Sequence, residues 1–142
     1  MKISVKGRYG LAAMISLGLN QPNKLSSTII SEKLGLSKIY LEQVLTLLKK
    51  ANLIVSEKGA NGGYTLAKPL NAISSYDILY AIETNLFVIT ESTSSNPHIE
   101  KTLNNLIYNK VDAKLEAFLS NITLEILVNE VKKANEINMY YI

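Results

Sequence analysis

The fold is decided by residues 25–64, which read LSSTIISEKLGLSKIYLEQVLTLLKKANLIVSEKGANGGY. The beginning of this stretch predicts a short helix. Ser26 or Ser27 can cap the free N–H groups at its start, and Gly35 can supply the left-handed residue that ends it. A short helix followed by a glycine turn is typical of the first half of a helix-turn-helix.

A second helix is predicted to begin at Ser37, because apolar residues recur after it at helical spacing. The predicted buried stripe consists of Ile39 or Tyr40, followed by Leu41, Val44, Leu45 and Leu48. Lys49 and Lys50 fall in the last turns, where positive charge suits the helix dipole.

Two short extended runs, 53–58 and 64–68, flank the segment Gly59-Ala-Asn-Gly-Gly63 and predict a β-hairpin. Three of the seven glycines lie in this segment, so the hairpin tip favours close approach of its backbone to a partner. Helix, turn, helix and hairpin in this order predict a winged helix-turn-helix. The fold class is therefore mainly α (α+β), and the structural alternative is a three-helix core with an ornamental hairpin.

The flanking segments are predicted to be helical as well. They are an N-terminal helix with Leu11, Met14, Ile15 and Leu19 on its buried stripe, a helix from Ser74 or Ser75 to Glu83, a long helix from Pro97 to about Leu119, and a last helix from Thr123 to about Ala134 with a tail after it. Two parts are expected: a winged-helix domain over 1–83, then a loop, a long helix and a tail over 84–142.

The long helix carries more apolar surface than a small domain needs for its own core, so we expect it to dimerise. The predicted dimerisation residues are Ile99, Leu103, Leu106, Ile107, Val111, Leu115 and Phe118.

Charge is distributed unevenly along the chain. Residues 1–80 carry ten basic and four acidic side chains, a net charge of +6, whereas residues 81–142 carry a net charge of −3. A basic N-terminal part indicates a surface that faces nucleic acid, and chance clustering of solvated charges is the alternative.

The predicted DNA-facing residues lie at the N-terminus, on the second helix of the pair and on the wing. They are Lys2, Lys6, Arg8, Tyr9, Ser37, Lys38, Tyr40, Glu42, Gln43, Lys58, Gly59, Asn61, Gly62, Gly63 and Tyr64. Gln43 suits adenine and Glu42 suits cytosine N4, while the lysines suit phosphates. The alternative to a DNA contact is, for Tyr40, packing against Leu41 and Leu45. For Glu42 the alternative is a solvated surface charge.

The composition argues against several classes of protein. The chain has no cysteine and one histidine, His98, which excludes disulfides, thiol nucleophiles, cysteine-ligated clusters and multi-histidine metal sites. An enzyme is disfavoured, since no acid pair or phosphate loop stands in a suitable context. No cofactor and no metal are predicted. The apolar run at residues 10–19 is too short to span a bilayer and lacks a cleavage site, so a cytoplasmic protein is expected.

Residues 1–10 (MKISVKGRYG), 40–43 (YLEQ), 58–64 (KGANGGY) and 121–124 (NITL) resemble signature segments of the Rrf2 regulator family. This resemblance covers nearly the whole chain. It implies a homodimeric winged-helix transcription factor that dimerises through its long C-terminal helix and binds a double-stranded operator of dyad symmetry.

Two features depart from the usual family pattern. Lys58 and Asn61 stand where the wing usually has arginine and lysine, so the bidentate contact of an arginine is lost at Lys58. Cluster-binding members also place three cysteines in the segment corresponding to roughly 88–106, and this chain has none there. The cysteine-free sequence is most similar to the family's repressors of cysteine metabolism.

That similarity implies control by a partner, cysteine synthase, in place of an iron–sulfur cluster. The predicted partner-binding residues form an apolar tail, Met139, Tyr140, Tyr141 and Ile142. A free C-terminal isoleucine can be captured in a pocket with its carboxylate held by backbone donors. Three alternatives remain: a tail packed on the dimer, a regulator that senses a small molecule directly, and a protein-interaction module with a winged-helix fold.

Overall fold

The computed structural model describes residues 2–86 and 94–140, with the side chain of Tyr140 left out. The helices in this part are α1 Val5–Leu19, α2 Ser27–Leu34, α3 Lys38–Lys50, α4 Ser75–Ile82, α5 Pro97–Leu103, α6 Asn109–Ser120 and α7 Leu124–Tyr140. Strands β1 Ile54–Glu57 and β2 Gly63–Leu66 follow α3, and a 3-10 turn covers Leu70–Ala72. The predicted mainly helical fold with a winged helix-turn-helix is confirmed.

The helix pair is closed by local signals that the sequence contains. The side chain of Ser26 accepts a hydrogen bond from the N–H of Ile29, and Gly35 ends α2 in the left-handed conformation with φ of 64°. The turn places α3 directly after Ser37, whose side chain makes no capping hydrogen bond. Ser74 and Asp77 form the predicted capping box of α4.

The hairpin is antiparallel, with Ile54 opposite Leu66 and Glu57 opposite Gly63. A further antiparallel bridge joins Tyr64 of β2 to Leu25, just before α2. The wing is therefore attached to the helix pair through backbone as well as side chains.

The hydrophobic core lies between α1, α3, α4, the hairpin and α7. Its buried residues are Ala13, Met14, Leu17, Leu25, Ile30, Leu41, Val44, Leu45, Leu48, Leu53, Ile54, Ile73, Ile78, Ile82, Leu124 and Val128. Leu124 and Val128 come from the predicted second part of the chain, so the division near residue 83 does not separate two cores.

The predicted burial of Ile39 or Tyr40 is wrong. Ile39 is 73% exposed and Tyr40 is 51% exposed. Leu41, Val44 and Leu48 occupy the buried face at helical spacing. Ile39 lies on the opposite face because two residues, at about 100° each, turn it about 200° away from Leu41. Tyr40 therefore does not pack into the core with Leu41.

The buried stripe of α1 is also rotated from the predicted one. Of the four predicted residues only Met14 is fully buried, and Leu11, Ile15 and Leu19 pack partly buried against the core. Glycines explain the rotation. A Cβ at Gly10 would lie 2.0 Å from Cδ1 of Ile82, and one at Gly18 would lie 2.7 Å from Cγ2 of Val128, so α4 and α7 approach α1 where it has no side chains.

The long helix from Pro97 is present and runs to Ser120 as α5, a π-helical segment Asn104–Tyr108, and α6. The side chain of Asn96 caps its start. Near its end α6 packs against α4, where burial and then the Glu116 carboxylate raise the pKa of Tyr76.

The predicted tail from residue 135 is wrong as far as residue 140, because α7 continues to Tyr140. No glycine or proline follows Ala134, so nothing in the local sequence ends the helix there. Tyr141 and Ile142 lie outside the described residues. Within 2–86 and 94–140, no helix is long and apolar enough to cross a membrane.

Candidate nucleic-acid interface

Helix α3 presents a polar and amphipathic face opposite its buried stripe. Its exposed residues include Lys38, Ile39, Tyr40, Glu42, Gln43 and Thr46. Thr46 donates its hydroxyl hydrogen to the carbonyl oxygen of Glu42 at 2.8 Å, and so keeps its own side chain close to the helix. Gln43 lies one turn after Ile39, so the two side chains share this face.

Glu42 is linked to the other helix of the pair. Ser27 Oγ donates a hydrogen bond to Glu42 Oε1 at 3.3 Å, which joins the start of α2 to the first half of α3. One carboxylate oxygen is thus engaged within the protein. An exposed carboxylate held in this way is oriented before it meets a donor such as cytosine N4.

Tyr9 lies beneath the start of α3. The backbone N–H of Ser37 donates a hydrogen bond to the Tyr9 hydroxyl at 3.4 Å, and the Tyr9 ring packs partly buried against the core. The hydroxyl therefore holds the residue that precedes α3. Direct contact of Tyr9 with DNA stays a prediction.

The wing tip is a tight glycine turn. The N–H of Gly62 donates to the carbonyl oxygen of Gly59 at 3.0 Å, and Gly59 has φ of 110°. A Cβ at Gly62 would lie 2.3 Å from the carbonyl oxygen of Glu57. Lys58 and Asn61 are exposed at this tip, where their side chains are free of the core.

A cleft of about 430 Å³ separates the wing from the helix pair. It is lined by Ser26, Ser27, Lys49, Ser56, Glu57, Lys58, Gly59, Gly62, Gly63 and Tyr64. Five predicted wing residues thus meet the start of α2 and the end of α3. The sequence pattern predicts only that Lys49 suits the helix dipole, and its position in this cleft follows from the fold. An ion pair between Lys24 and Glu57 ties the same wing to the segment before α2.

The N-terminal basic residues lie just before α1 and in its first turn. Lys2 and Arg8 are exposed, and Lys6 is half-buried at a cavity that Leu47 of α3 also lines. Ser4 caps α1 by accepting a hydrogen bond from the N–H of Gly7 at 3.0 Å. Ser4 is not among the predicted site residues, although a serine just before a helix is itself a capping signal.

The predicted dimerisation residues lie along α5, the π-helical segment and α6. Five of them are exposed large apolar side chains, Ile99, Leu106, Ile107, Val111 and Phe118. Leu103 and Leu115 are partly buried. The face is accessible in the single chain, and its pairing with a second chain stays a prediction.

Comparison with known proteins places the chain in a family. Residues 3–130 match the family described as Rrf2: Iron-dependent Transcriptional regulator. The HTH-type transcriptional regulator IscR of Klebsiella pneumoniae (strain 342) is 32% identical over 131 residues, which cover 91% of this chain and 80% of IscR.

Two solved structures are also similar. CymR (YrzC), the Global Cysteine Regulator of B. subtilis, superposes with a TM-score of 0.75 at 31% identity, over 92% of this chain and 98% of CymR. The oxidized form of Staphylococcus aureus CymR has a TM-score of 0.70 at 40% identity, over 90% of this chain and 96% of that one.

The family description names iron, and the residues of this chain show whether they could hold it. The chain has no cysteine, and its single histidine, His98, is exposed in the first turn of α5. Across 2–86 and 94–140, no three His, Asp or Glu side chains gather in a group able to hold a metal ion. These residues do not fit a cysteine-ligated iron–sulfur cluster.

The relatives with a named role are transcriptional regulators, a class distinct from enzymes. The extent of the match, the similarity of the relatives and the winged-helix geometry lead to one assignment. The chain belongs to the Rrf2 family of DNA-binding winged-helix transcriptional regulators.

Proposed function

We propose that the protein is a homodimeric, cytoplasmic repressor that binds an operator of dyad symmetry through α3 and the wing. The observation that carries this proposal is the exposed face of α3 beside a glycine-tipped wing, with a cleft between them that Lys49 and Lys58 line. A helix of this kind fits the major groove, and a wing whose turn contains glycines can approach phosphates closely.

The proposed contacts divide into two kinds. Gln43 and Glu42 read base edges, because amide and carboxylate groups match the donors and acceptors of adenine and cytosine. Lys2, Lys6, Arg8 and Lys58 contact phosphates, and Lys49 joins them because it lines the wing cleft. Phosphate contacts of this type set the salt dependence of binding and leave its sequence preference unchanged.

The exposed apolar row on α5 and α6 supports a homodimer. Burial of such a row of apolar side chains against another protein surface is favourable. A second copy of the chain offers a matching face under two-fold symmetry. Such a dimer places its two α3 helices on half-sites about 34 Å apart, or a multiple of that spacing.

Selection from a random-sequence duplex pool by the purified protein tests the function. We expect an enriched sequence with dyad symmetry that shifts the protein in a gel more strongly than a scrambled duplex does. Failure to enrich any sequence, with no mobility shift, would favour the protein-interaction module, which is a different class of function.

We further propose that the target genes belong to cysteine metabolism and that cysteine synthase controls the repressor. Similarity to CymR, named as a global cysteine regulator, supports the first part. The absence of cysteine supports the second, because the chain has no thiol of its own to be oxidised or to hold a cluster. Met139 is exposed in the last turn of α7, so the proposed binding segment begins there.

Deletion of Tyr141 and Ile142 tests the partner. We expect the shortened protein to lose co-purification with cysteine synthase while it still binds the selected duplex. Glu136→Ala, an exposed change on the same helix, serves as the control and should leave both activities intact. Equal co-purification of the shortened and full chains would refute this part.

A second candidate is direct sensing of a small molecule. A cavity of about 550 Å³ between the start of α1 and the end of α4 favours it, since small-molecule sites commonly have this size. Titration of the protein–duplex complex with sulfur-containing metabolites, with and without cysteine synthase, separates the two. Release of DNA by a metabolite alone would favour the direct sensor.

A further inference from the structure

We infer that Glu83 is a positioning residue for DNA binding: its carboxylate fixes the N-terminal arm, by which we mean residues 2–4 and the first turn of α1 as far as Arg8. The inference rests on the proposed function, because it concerns the arm that supplies Lys2, Lys6 and Arg8 to phosphates. Glu83 directly follows α4 and lies far along the chain from every predicted DNA-contacting residue. Within the described part of the chain, it is linked to the predicted contacts only through its hydrogen bonds to this arm.

The geometry forms a relay from α4 to α1. Glu83 Oε1 accepts hydrogen bonds from both the N–H and the hydroxyl of Ser4, each at 2.9 Å. The same Ser4 hydroxyl oxygen accepts the N–H of Gly7 at 3.0 Å and so caps α1. Glu83 therefore orients the capping serine, and the serine fixes where the helix begins and where the preceding residues lie.

Gly7 makes room for this carboxylate. A Cβ built at residue 7 would lie 2.1 Å from Glu83 Oε1 and 2.9 Å from Cγ2 of Ile3. Glycine is otherwise unfavourable inside a helix, so its presence here needs a local reason. The close approach of the Glu83 carboxylate supplies that reason independently of the hydrogen bonds.

The anchor is firm because the end of α4 is held on α1. The backbone N–H of Glu83 donates to the carbonyl oxygen of Leu79 at 2.7 Å. The preceding residue, Ile82, is buried against Gly10 of α1. Ile82, the last residue of α4, and Glu83, which follows it, thus pack against two glycines about one turn apart on α1.

The charge of Glu83 separates positioning from simple electrostatics. A carboxylate beside an arm that contacts phosphates repels DNA, so its removal should tighten binding if charge alone matters. If Glu83 holds the arm in place, its removal should weaken binding instead. The two explanations predict opposite signs for one measurement.

The test uses a duplex selected from a random pool by the wild-type protein, and a scrambled duplex of the same length. Glu83→Ala is expected to weaken binding to the selected duplex about fivefold or more, and to lower the salt slope by about one as an arm phosphate contact is lost. Glu83→Gln keeps an acceptor oxygen and should restore most of the affinity. Glu136→Ala, which removes the same charge from an exposed site on α7, should not weaken binding.

Gly7→Ala gives a second test without any change of charge. Its methyl group displaces the carboxylate, so we expect the same loss of affinity and the same lower salt slope. A double-mutant cycle then asks whether Lys2→Ala still weakens binding once Glu83 is alanine. We expect that effect to shrink, because an arm already released no longer presents Lys2 to a phosphate.

Circular dichroism and thermal unfolding show whether each variant remains folded. If Glu83→Ala does not fold, the test is made with the other two variants: Gly7→Ala should weaken binding, and Glu83→Gln should keep most of it. Equal or tighter binding by Glu83→Ala, with wild-type binding intact, would refute the inference alone. A wild-type protein that binds no duplex would refute the proposed function, and the inference with it.

Discussion

Leu25 and Tyr64 exchange two backbone hydrogen bonds: the Tyr64 N–H donates to the Leu25 carbonyl oxygen at 2.8 Å, and the Leu25 N–H donates to the Tyr64 carbonyl oxygen at 3.1 Å. This pair adds one residue of the helix-pair segment to the edge of the hairpin. It holds the wing at a set position relative to α2 and α3. The contact is close because the neighbouring residue, Gly63, has no side chain.

Substitution of Gly63 should therefore loosen the wing. Gly63 has φ of 153°, and a Cβ there would lie 2.9 Å from the carbonyl carbon and oxygen of Leu25. We expect Gly63→Ala to lower the free energy of unfolding by about 1–3 kcal/mol and to weaken DNA binding. Chemical denaturation and mobility shifts measure the two effects.

Gly59→Ala is the matched control for that change. Gly59 also has a positive φ, 110°, but a Cβ there meets nothing within 4 Å. It therefore carries backbone strain without the clash against Leu25. Equal destabilisation by the two substitutions would show that the contact between the wing and Leu25 contributes nothing.

Gln43→Ala should change which sequences the protein prefers. The side chain is exposed on α3, and a good base contact contributes about 1–3 kcal/mol of discrimination. We expect a smaller ratio of affinities between the selected and scrambled duplexes. Lys49→Ala, at the end of the same helix, is the comparison, and it should weaken both duplexes alike. A uniform loss with Gln43→Ala would instead assign that residue to a phosphate.

Ile39 should contribute to DNA recognition and little to folding. Its 73% exposure on the same face as Gln43 places an apolar group where thymine methyl groups are read. Ile39→Ala is expected to change the free energy of unfolding by no more than about 0.5 kcal/mol and to reduce the preference for thymine in the selected sites. Leu45→Ala, in the buried stripe, should cost about 2–5 kcal/mol in the same denaturation experiment. A comparable cost for both would mean that Ile39 is buried in solution.

Leu106→Lys should convert a dimer to a monomer without unfolding it. Leu106 is 61% exposed in the single chain, so a charge there is solvated in the monomer but buried at a helix–helix interface. Sedimentation should show half the mass of the wild-type protein. Ile126→Lys, at an exposed apolar position of α7, controls for the added charge and should leave the mass unchanged. If the wild-type protein itself sediments as a monomer, the proposed dimer is wrong.

The parts of the structure that the sequence predicts well depend on neighbouring residues. The Ser26 cap, the Gly35 turn and the Ser74–Asp77 capping box involve hydrogen bonds over three or four residues, so composition and spacing suffice to place them. The wing follows from two short extended runs that flank a cluster of glycines. Its attachment to Leu25 lies 39 residues away along the chain and left no local pattern.

The incorrect predictions share a cause. The apolar character of Ile39 predicts burial, yet the phase of α3 is set by Leu41, Val44, Leu45 and Leu48, which pack together. The polar residues after Ala134 predict a tail, although none of them breaks a helix and α7 continues through them. In both cases hydrophobicity was a weaker guide than helix geometry.

By itself, the sequence determined the order of elements, the absence of thiol chemistry and the family to which the chain belongs, because these depend on residue identity and local spacing. Only the tertiary structure decided which surface each residue faces and which distant residues meet. Ser4 and Glu83 are 79 positions apart, and their contact exists because Gly7 and Gly10 let α4 approach α1. Packing between helices selects such pairs, and no local pattern in the chain specifies them.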